Sequence, residues 1–329
     1  MRNENSEIYV GNKAQLNSVK YIQFLEGKAT GLKAFEIATA SGFSLTVALD
    51  RGMDIVELKL NGKNISFLSA TGLVNSTYFN EDEDKGFMRN FNVGFLTTGG
   101  LAYMGSSDNR RGLHGTASNT PAYNFSYEIL KNKIQVEGNI ADSVMFGPNL
   151  ILHRKITVST NETSIRIDDT LINAGDDTVP YMLLYHNNFG YPFLTPDTEI
   201  FFQPEKSFNR KYQRIKGSYP FKLKKPNIAE PEQVYFHTLK KSEYSLISPR
   251  TNLSLKVKFS SKTLPILNEW RLERNKNYVL GLEPGTNDVN GFIQANKNNK
   301  LKYIKPDERI AFNLQFDFSE VKNEKIANK

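Results

Sequence analysis

The apolar residues of this chain recur with a period of two, and they do so along most of its length. Phe43, Leu45, Val47 and Leu49 alternate with Ser44, Thr46 and Ala48, and Leu253, Leu255, Val257 and Phe259 with Ser254, Lys256 and Lys258. Phe312, Leu314, Phe316 and Phe318 alternate with Asn313, Gln315 and Asp317. Successive side chains of a strand point to opposite faces, so each run predicts a strand with one buried face and one wet face. Noisier runs predict strands near residues 33–39, 54–60, 124–129, 133–140, 150–158, 164–173, 180–186, 198–203, 243–248 and 277–283. Turn residues punctuate them at Asn61-Gly62, Gly138-Asn139, residues 173–176, Pro284-Gly285 and Lys305-Pro306-Asp307. No apolar stripe at helical spacing lasts longer than a few turns, and neither a strand–helix–strand rhythm nor a short repeat is present. Such a pattern predicts an all-β fold, a large antiparallel sandwich.

Composition narrows the reading further. At 39% hydrophobic, the 329 residues can line a sizeable core. No Pro/Gly/Ser-rich linker divides them, so a single domain over 1–329 is expected, with 1–30 and 320–329 peripheral. The absence of cysteine removes disulfides, thiolate metal sites and cysteine nucleophiles. No apolar run approaches a membrane span, and residues 1–15 lack an apolar signal segment. The expectation is a soluble, cytoplasmic protein without a membrane partner.

The 42 basic and 35 acidic residues leave a net charge of +7, which raises the question of nucleic acid. Most of the excess is scattered. Between residues 206 and 225, however, lie Lys206, Arg210, Lys211, Arg214, Lys216, Lys222, Lys224 and Lys225 with no acid among them, interleaved with Phe208, Tyr212, Tyr219 and Phe221. Basic plus aromatic residues suit a single strand or an anionic sugar. With no zinc-finger, RNP or helix-turn-helix signature, the expectation is a solvated loop pinned by its aromatics, and no nucleic-acid partner.

Four histidines make the chemical inventory short. His153 sits within a strand run and reads as a packed residue. His237 closes the run Val234-Tyr235-Phe236, where a polar group can face a cleft. His114, in the turn Arg110-Arg111-Gly112-Leu113-His114-Gly115, and His186, after Tyr181-Met182-Leu183-Leu184-Tyr185, lie at expected strand ends where ligands approach backbone closely. Glu283 ends the run 278–282 just before Pro284-Gly285. From pattern alone it reads either as an exposed turn acid or, at the end of a buried strand, as a partly desolvated carboxylate whose pKa rises toward that of a useful base. Dispersed histidines without a His-x-x-x-His spacing predict no metal, and no nucleotide or dinucleotide motif predicts a cofactor.

These residues resemble the aldose 1-epimerases (galactose mutarotases). Leu282-Glu283-Pro284, then Ile304-Lys305-Pro306-Asp307-Glu308 and a last alternating strand, is similar to that family's C-terminal end, where a catalytic glutamate terminates a strand. His114-Gly115 resembles its first active-site histidine, His186-Asn187-Asn188-Phe189 its second, and Arg89 has the spacing of its substrate-binding arginine. Longer segments resemble an uncharacterised branch of aldose-1-epimerase-like proteins: residues 50–55, 94–101, 184–192 and 268–271. The resemblance spans roughly residues 30–318 and implies a galactose mutarotase-like β-supersandwich. Departures exist. Gly190 stands where the family has asparagine, and its substrate-binding aspartate between the second histidine and the glutamate has no evident counterpart. Asp197 comes too early for it, and the resemblance offers His237 for a comparable part of the site.

What the resemblance implies is anomer interconversion of a small-molecule sugar. Glu283 takes the C1 hydroxyl proton, His186 protonates the ring oxygen, and His114 and Arg89 orient the ring; Arg51 and Arg111 are read either as further binders or, equally, as residues that pin turns. The expected rate–pH profile is a bell whose acid limb belongs to Glu283 and whose alkaline limb belongs to His186. A non-catalytic sugar binder, and a polysaccharide lyase or hydrolase on the same fold, are the alternatives.

Overall fold

The structure is a computed structural model and describes residues 6–216 and 222–321. Tyr219 and Phe221 of the basic stretch, and residues 322–329 of the expected tail, lie outside the described residues.

Three antiparallel sheets make up most of it. Ser18–Gln23, Lys33–Ala38, Phe43–Ala48, Asp54–Leu60 and Lys63–Asn64 form a five-stranded meander, whose first strand falls inside the expected N-terminal extension. Its last hairpin turns at Asn61 and Gly62, both with positive φ, the twist that a two-residue turn between right-twisted strands requires. The eight-stranded sheet runs Glu199–Phe201, Glu243–Ser248, Leu253–Phe259, Arg309–Glu320, Ser164–Asn173, Asn149–Ser159, Lys133–Ser143 and Tyr123–Leu130. Here the period-two pattern is cleanest: every second residue of Asn149–Ser159 is buried. The seven-stranded sheet runs Pro204–Asn209, Gln233–Leu239, Ile266–Arg274, Asn277–Gly285, Val179–Phe189 and Lys302–Ile304, and Leu96–Leu101 also pairs with Val179–Phe189.

The inner faces close over a buried apolar cluster that draws on residues from Phe35 to Phe318. Phe95 meets Phe316 edge-on at 5.2 Å and Tyr181 meets Phe312 at 6.4 Å, joining the two larger sheets; Phe43 against Phe318 at 5.7 Å brings in the third. One charged network crosses the same interior. Arg154 pairs with Asp54 at 3.1 Å and with Asp169 at 2.8 Å, and Tyr185 Oη donates to Asp169 at 2.8 Å. All three sheets therefore contribute a member to it.

Three local expectations change. Gly138-Asn139 is not a turn but the interior of Lys133–Ser143, where the register shifts against the neighbouring strand. Pro284-Gly285 likewise continues the strand Asn277–Gly285. His186 lies within Val179–Phe189 rather than at its end. Two α-helices interrupt the strands, Glu83–Asn90 and Phe292–Lys297, and among the described residues no helix is long and apolar enough to cross a membrane.

Candidate active site

The seven-stranded sheet has a core face and an outward face, and strand register decides which residue shows on which. Directly opposite residues of antiparallel strands share a face. Val234 pairs with Trp270, Trp270 with Gly281, and Gly281 with Asn188, so these positions share the outward face. Two residues along, Glu283 joins them. The register that sets Asn187 against Leu282 and Leu184 against Gly285 also places His186 opposite Glu283. Residues 97 apart in sequence thus become cross-strand neighbours.

Over this face stands the helix Glu83–Asn90. Asp84, Phe87, Met88 and, just beyond it, Phe91 follow the i, i+3, i+4, i+7 spacing and line one wall of a pocket of about 230 Å³. His114, His186, Trp270 and Glu283 line the rest, with Arg210, Glu232, Leu113, Val234 and Val289. The volume lies below the ~300–1,000 Å³ of drug-sized pockets and suits one sugar ring.

At its base, His186 Nε2 and Glu283 Oε1 are 3.1 Å apart, both side chains almost wholly buried. The contact lacks hydrogen-bond geometry: Glu283 Oε1 and His186 Nδ1 both have no hydrogen-bond partner, nor has His114 Nδ1. Buried polar atoms left without partners are costly unless a ligand completes them. Aromatic rings fix the imidazoles. His186 packs edge-on against Phe91 and Trp270, each at 5.4 Å, and against His114 at 5.7 Å. The His114 backbone is left-handed, φ 58°, and is held there by its N–H to the Gly105 carbonyl at 2.8 Å and by the Gly100 N–H to its own carbonyl at 2.9 Å.

Burial governs the charge state. It pushes Glu283 well above the ordinary carboxylate value, with the carboxylates of Glu232 and Glu269 adding to the effect. It lowers His186 to about 3, helped by His114, and His114 to about 4, helped by Arg210. Desolvation therefore favours the neutral imidazoles and the protonated form of Glu283.

Of the seven residues singled out from the sequence, His114, His186 and Glu283 come together here. The other four do not line the pocket. Arg89 falls off the helical stripe of Asp84, Phe87, Met88 and Phe91 and is exposed. Arg51 is buried and donates to the carbonyls of Val74 at 3.0 Å and Asn90 at 2.8 Å, capping the end of the pocket helix. Arg111 pairs with Asp108 at 2.9 Å and stacks on Phe292 at 3.8 Å. His237 is on the core face, with Nδ1 2.8 Å from Ser207 Oγ and Nε2 3.0 Å from Glu269. Sequence reasoning missed Glu232, a pocket carboxylate that falls between His186 and Glu283 in chain order; it accepts from Trp270 Nε1 at 2.8 Å and meets Arg210 at 3.4 Å. Its signal was only that it precedes the strand of His237. Arg210 belonged to the basic stretch, and Trp270 to a quoted motif that carried no role.

Gly281 has a specific task. The Glu283 carboxylate folds back over it, and the Cβ of any other residue would overlap Glu283 Oε1 and crowd His186 Cε1. The overlapped atom ends a flexible side chain, so Gly281→Ala should leave the fold intact and move the carboxylate. We expect displaced His186 ring signals in NMR spectra with an unchanged melting temperature; unchanged ring signals would show that the carboxylate had not moved.

The chain matches known proteins in sequence and in shape. A family model described as a domain of unknown function (DUF4432) matches residues 29–318. No curated protein matches by sequence. Among solved structures, one from Klebsiella pneumoniae provisionally described as an aldose 1-epimerase is 21% identical, with a TM-score of 0.83 over 94% of this chain and 87% of that one. A galactose mutarotase-like protein from Clostridium acetobutylicum, 14% identical, gives 0.66 over 93% and 99%. A galactose 1-epimerase from Lactobacillus acidophilus, 13% identical, gives 0.64 over 93% and 100%. The shared fold is the galactose mutarotase-like β-sandwich.

Proposed function

From the premise that this chain belongs to the DUF4432 family and has a galactose mutarotase-like fold, we propose that its pocket interconverts the α and β anomers of an aldose. The observation that carries this reading is the His186–Glu283 pair, 3.1 Å apart at the base of an aromatic pocket with an unpartnered polar atom on each residue. Anomer exchange needs one base and one acid on adjacent oxygens. Glu283 takes the proton of the C1 hydroxyl while His186 protonates the ring oxygen; the C1–O bond breaks, C1–C2 rotates, and the reverse transfers close the other anomer. Trp270, Phe87 and Phe91 offer the ring its apolar contacts. Glu232, Arg210 and His114 supply donors and acceptors for the remaining hydroxyls.

One proton on the pair suffices. In the free protein burial places it on Glu283. A hydrogen bond from the C1 hydroxyl to the Glu283 oxygen stabilises the carboxylate, and the proton moves to His186, 3.1 Å away, once the bound sugar draws the two groups into line. The limbs of the rate–pH profile are therefore the reverse of those expected from the sequence. Activity falls on the acid side when His186, displaced to about 3, takes a second proton, and on the alkaline side when Glu283, displaced upward, loses the only one. A stopped-flow mutarotation profile should keep its rate on the acid side to well below pH 6, because His186 is displaced to about 3; an acid-side midpoint near the ordinary histidine value of about 6.5 would contradict it.

Polarimetry of freshly dissolved aldoses, each with and without protein, tests the assignment. Acceleration of at least one aldose above its buffer rate is expected. Binding of a sugar without acceleration of any would replace the reading with a sugar-binding protein.

A further inference from the structure

A second concavity opens at the outer edge of the seven-stranded sheet, on the core side where His237 and Ser207 lie. Ser207 and Ile215 form the floor of a cleft of about 630 Å³, rimmed by Lys206, Arg214, Lys216 and Lys240. Its cations come from three segments: the edge strand Pro204–Asn209, the arm that returns along it, and the residue after Gln233–Leu239. Backbone hydrogen bonds fix their convergence, with Ile215 N donating to Ser207 O and Lys240 N to Gln203 O, both at 2.9 Å.

The charge is unbalanced. Within the basic stretch, Arg210 pairs with Glu232 and Lys224 with Glu230, away from this cleft. Lys206, Arg214, Lys216 and Lys240 are all exposed and, among the described residues, make no ion pair; Glu205 is the one acid on the lining. Four cations around a concavity repel one another and raise a positive potential that attracts anions. The floor is rigid, because Ser207 Oγ is bound to His237, and His237 to Glu269. That serine, histidine and glutamate resemble an acyl-transfer relay. Yet burial and Arg271 hold His237 down at about 3, too weak a base to activate the hydroxyl. Binding is the chemistry that the cleft supports.

We propose that this cleft is a binding site for a phosphorylated small molecule, held through its phosphate. Three lysines and an arginine against one carboxylate match a dianion, and Arg214 can meet two phosphate oxygens at once. The volume, nearly three times that of the sugar pocket, leaves room for the rest of the ligand.

Titration calorimetry of the full chain with glycerol 2-phosphate, which has no sugar ring, separates this site from the sugar pocket. Saturable one-to-one binding is expected, competed by inorganic phosphate and absent with glycerol. It should weaken at least tenfold in Lys206→Glu/Arg214→Glu, whose two substitutions are at exposed positions, and remain unchanged in Glu283→Gln. Absence of saturable binding, equal affinity in the double variant, or loss in Glu283→Gln would each overturn the proposal. So would displacement of the ester by a single-stranded oligonucleotide at lower concentration than inorganic phosphate, since that would make the cleft a nucleic-acid surface. None of these results depends on whether the pocket turns over a sugar.

Discussion

Glu283→Gln is expected to lower mutarotation by about 10²–10⁴-fold, the range typical of a lost general acid or base, while sugar still binds. Glutamine keeps the length and one carbonyl oxygen of the side chain that faces His186 but cannot cycle a proton. His186→Asn should cost a similar amount, because in the proposed mechanism the acid and the base, 3.1 Å apart, act in one concerted step. Residues that act as a unit lose their effect once, so the double variant should be little slower than either single one. Binding measured by ligand-observed NMR should persist in all three, since Trp270, Phe87, Phe91 and Glu232 are untouched. The fold should persist as well. A carboxyl group raised well above its ordinary pKa by burial costs stability at neutral pH, and the neutral amide removes that cost. Near-normal turnover in Glu283→Gln would remove this residue from the mechanism and favour a binding protein.

How much of this was legible in the sequence depends on whether a strand has one buried face or two. Asn149–Ser159 and Leu253–Phe259 alternate because one face meets solvent, and their pattern gives them away. Leu96–Leu101 is buried on both faces and reads Leu-Thr-Thr-Gly-Gly-Leu, so no alternation marks it. Ile266–Arg274 carries Glu269, Arg271 and Glu273 on its buried face, where Glu269 meets Arg271 and His237 and Glu273 accepts from the Lys224 N–H, and so reads as a polar segment. The pocket helix Glu83–Asn90 has Gly86 at its centre, where a side chain would strike the Asn80 carbonyl, and too few apolar positions to show a stripe.

The site divides along the same line. His114, His186 and Glu283 were found because their chemistry and their neighbours resemble those of a family. The arginines were chosen by residue type and spacing, and a guanidinium is as useful for tying down carbonyls, as Arg51 does at Val74 and Asn90, as for holding a sugar. His237 was one position from the right face. Phe236, one residue earlier, points outward with Asn268 and Glu283, and the strand period alone sends His237 into the core.

Arg154→Met should destabilise the protein by about 3–5 kcal/mol, the usual cost of removing one partner from a buried ion pair. Arg154 is fully buried, and its guanidinium serves Asp54, Asp169 and the Gly52 carbonyl at 3.0 Å. Methionine fills the aliphatic part of the space but leaves two carboxylates facing each other without a cation. The loss should depend on pH in a definite direction. Burial already raises Asp54 to about 6 against the pull of Arg154. A carboxyl group with a raised folded pKa contributes stability that is fully present below its unfolded value and lost as pH rises through the folded one. Without Arg154 the Asp54 value rises further, so the deficit in urea unfolding should be larger at pH 8 than at pH 5. Asp54→Asn/Arg154→Met/Asp169→Asn, which removes all three charges, should recover part of it. A deficit below about 1 kcal/mol at pH 8, or one that grows on acidification, would mean that the three sheets are joined by their apolar faces alone.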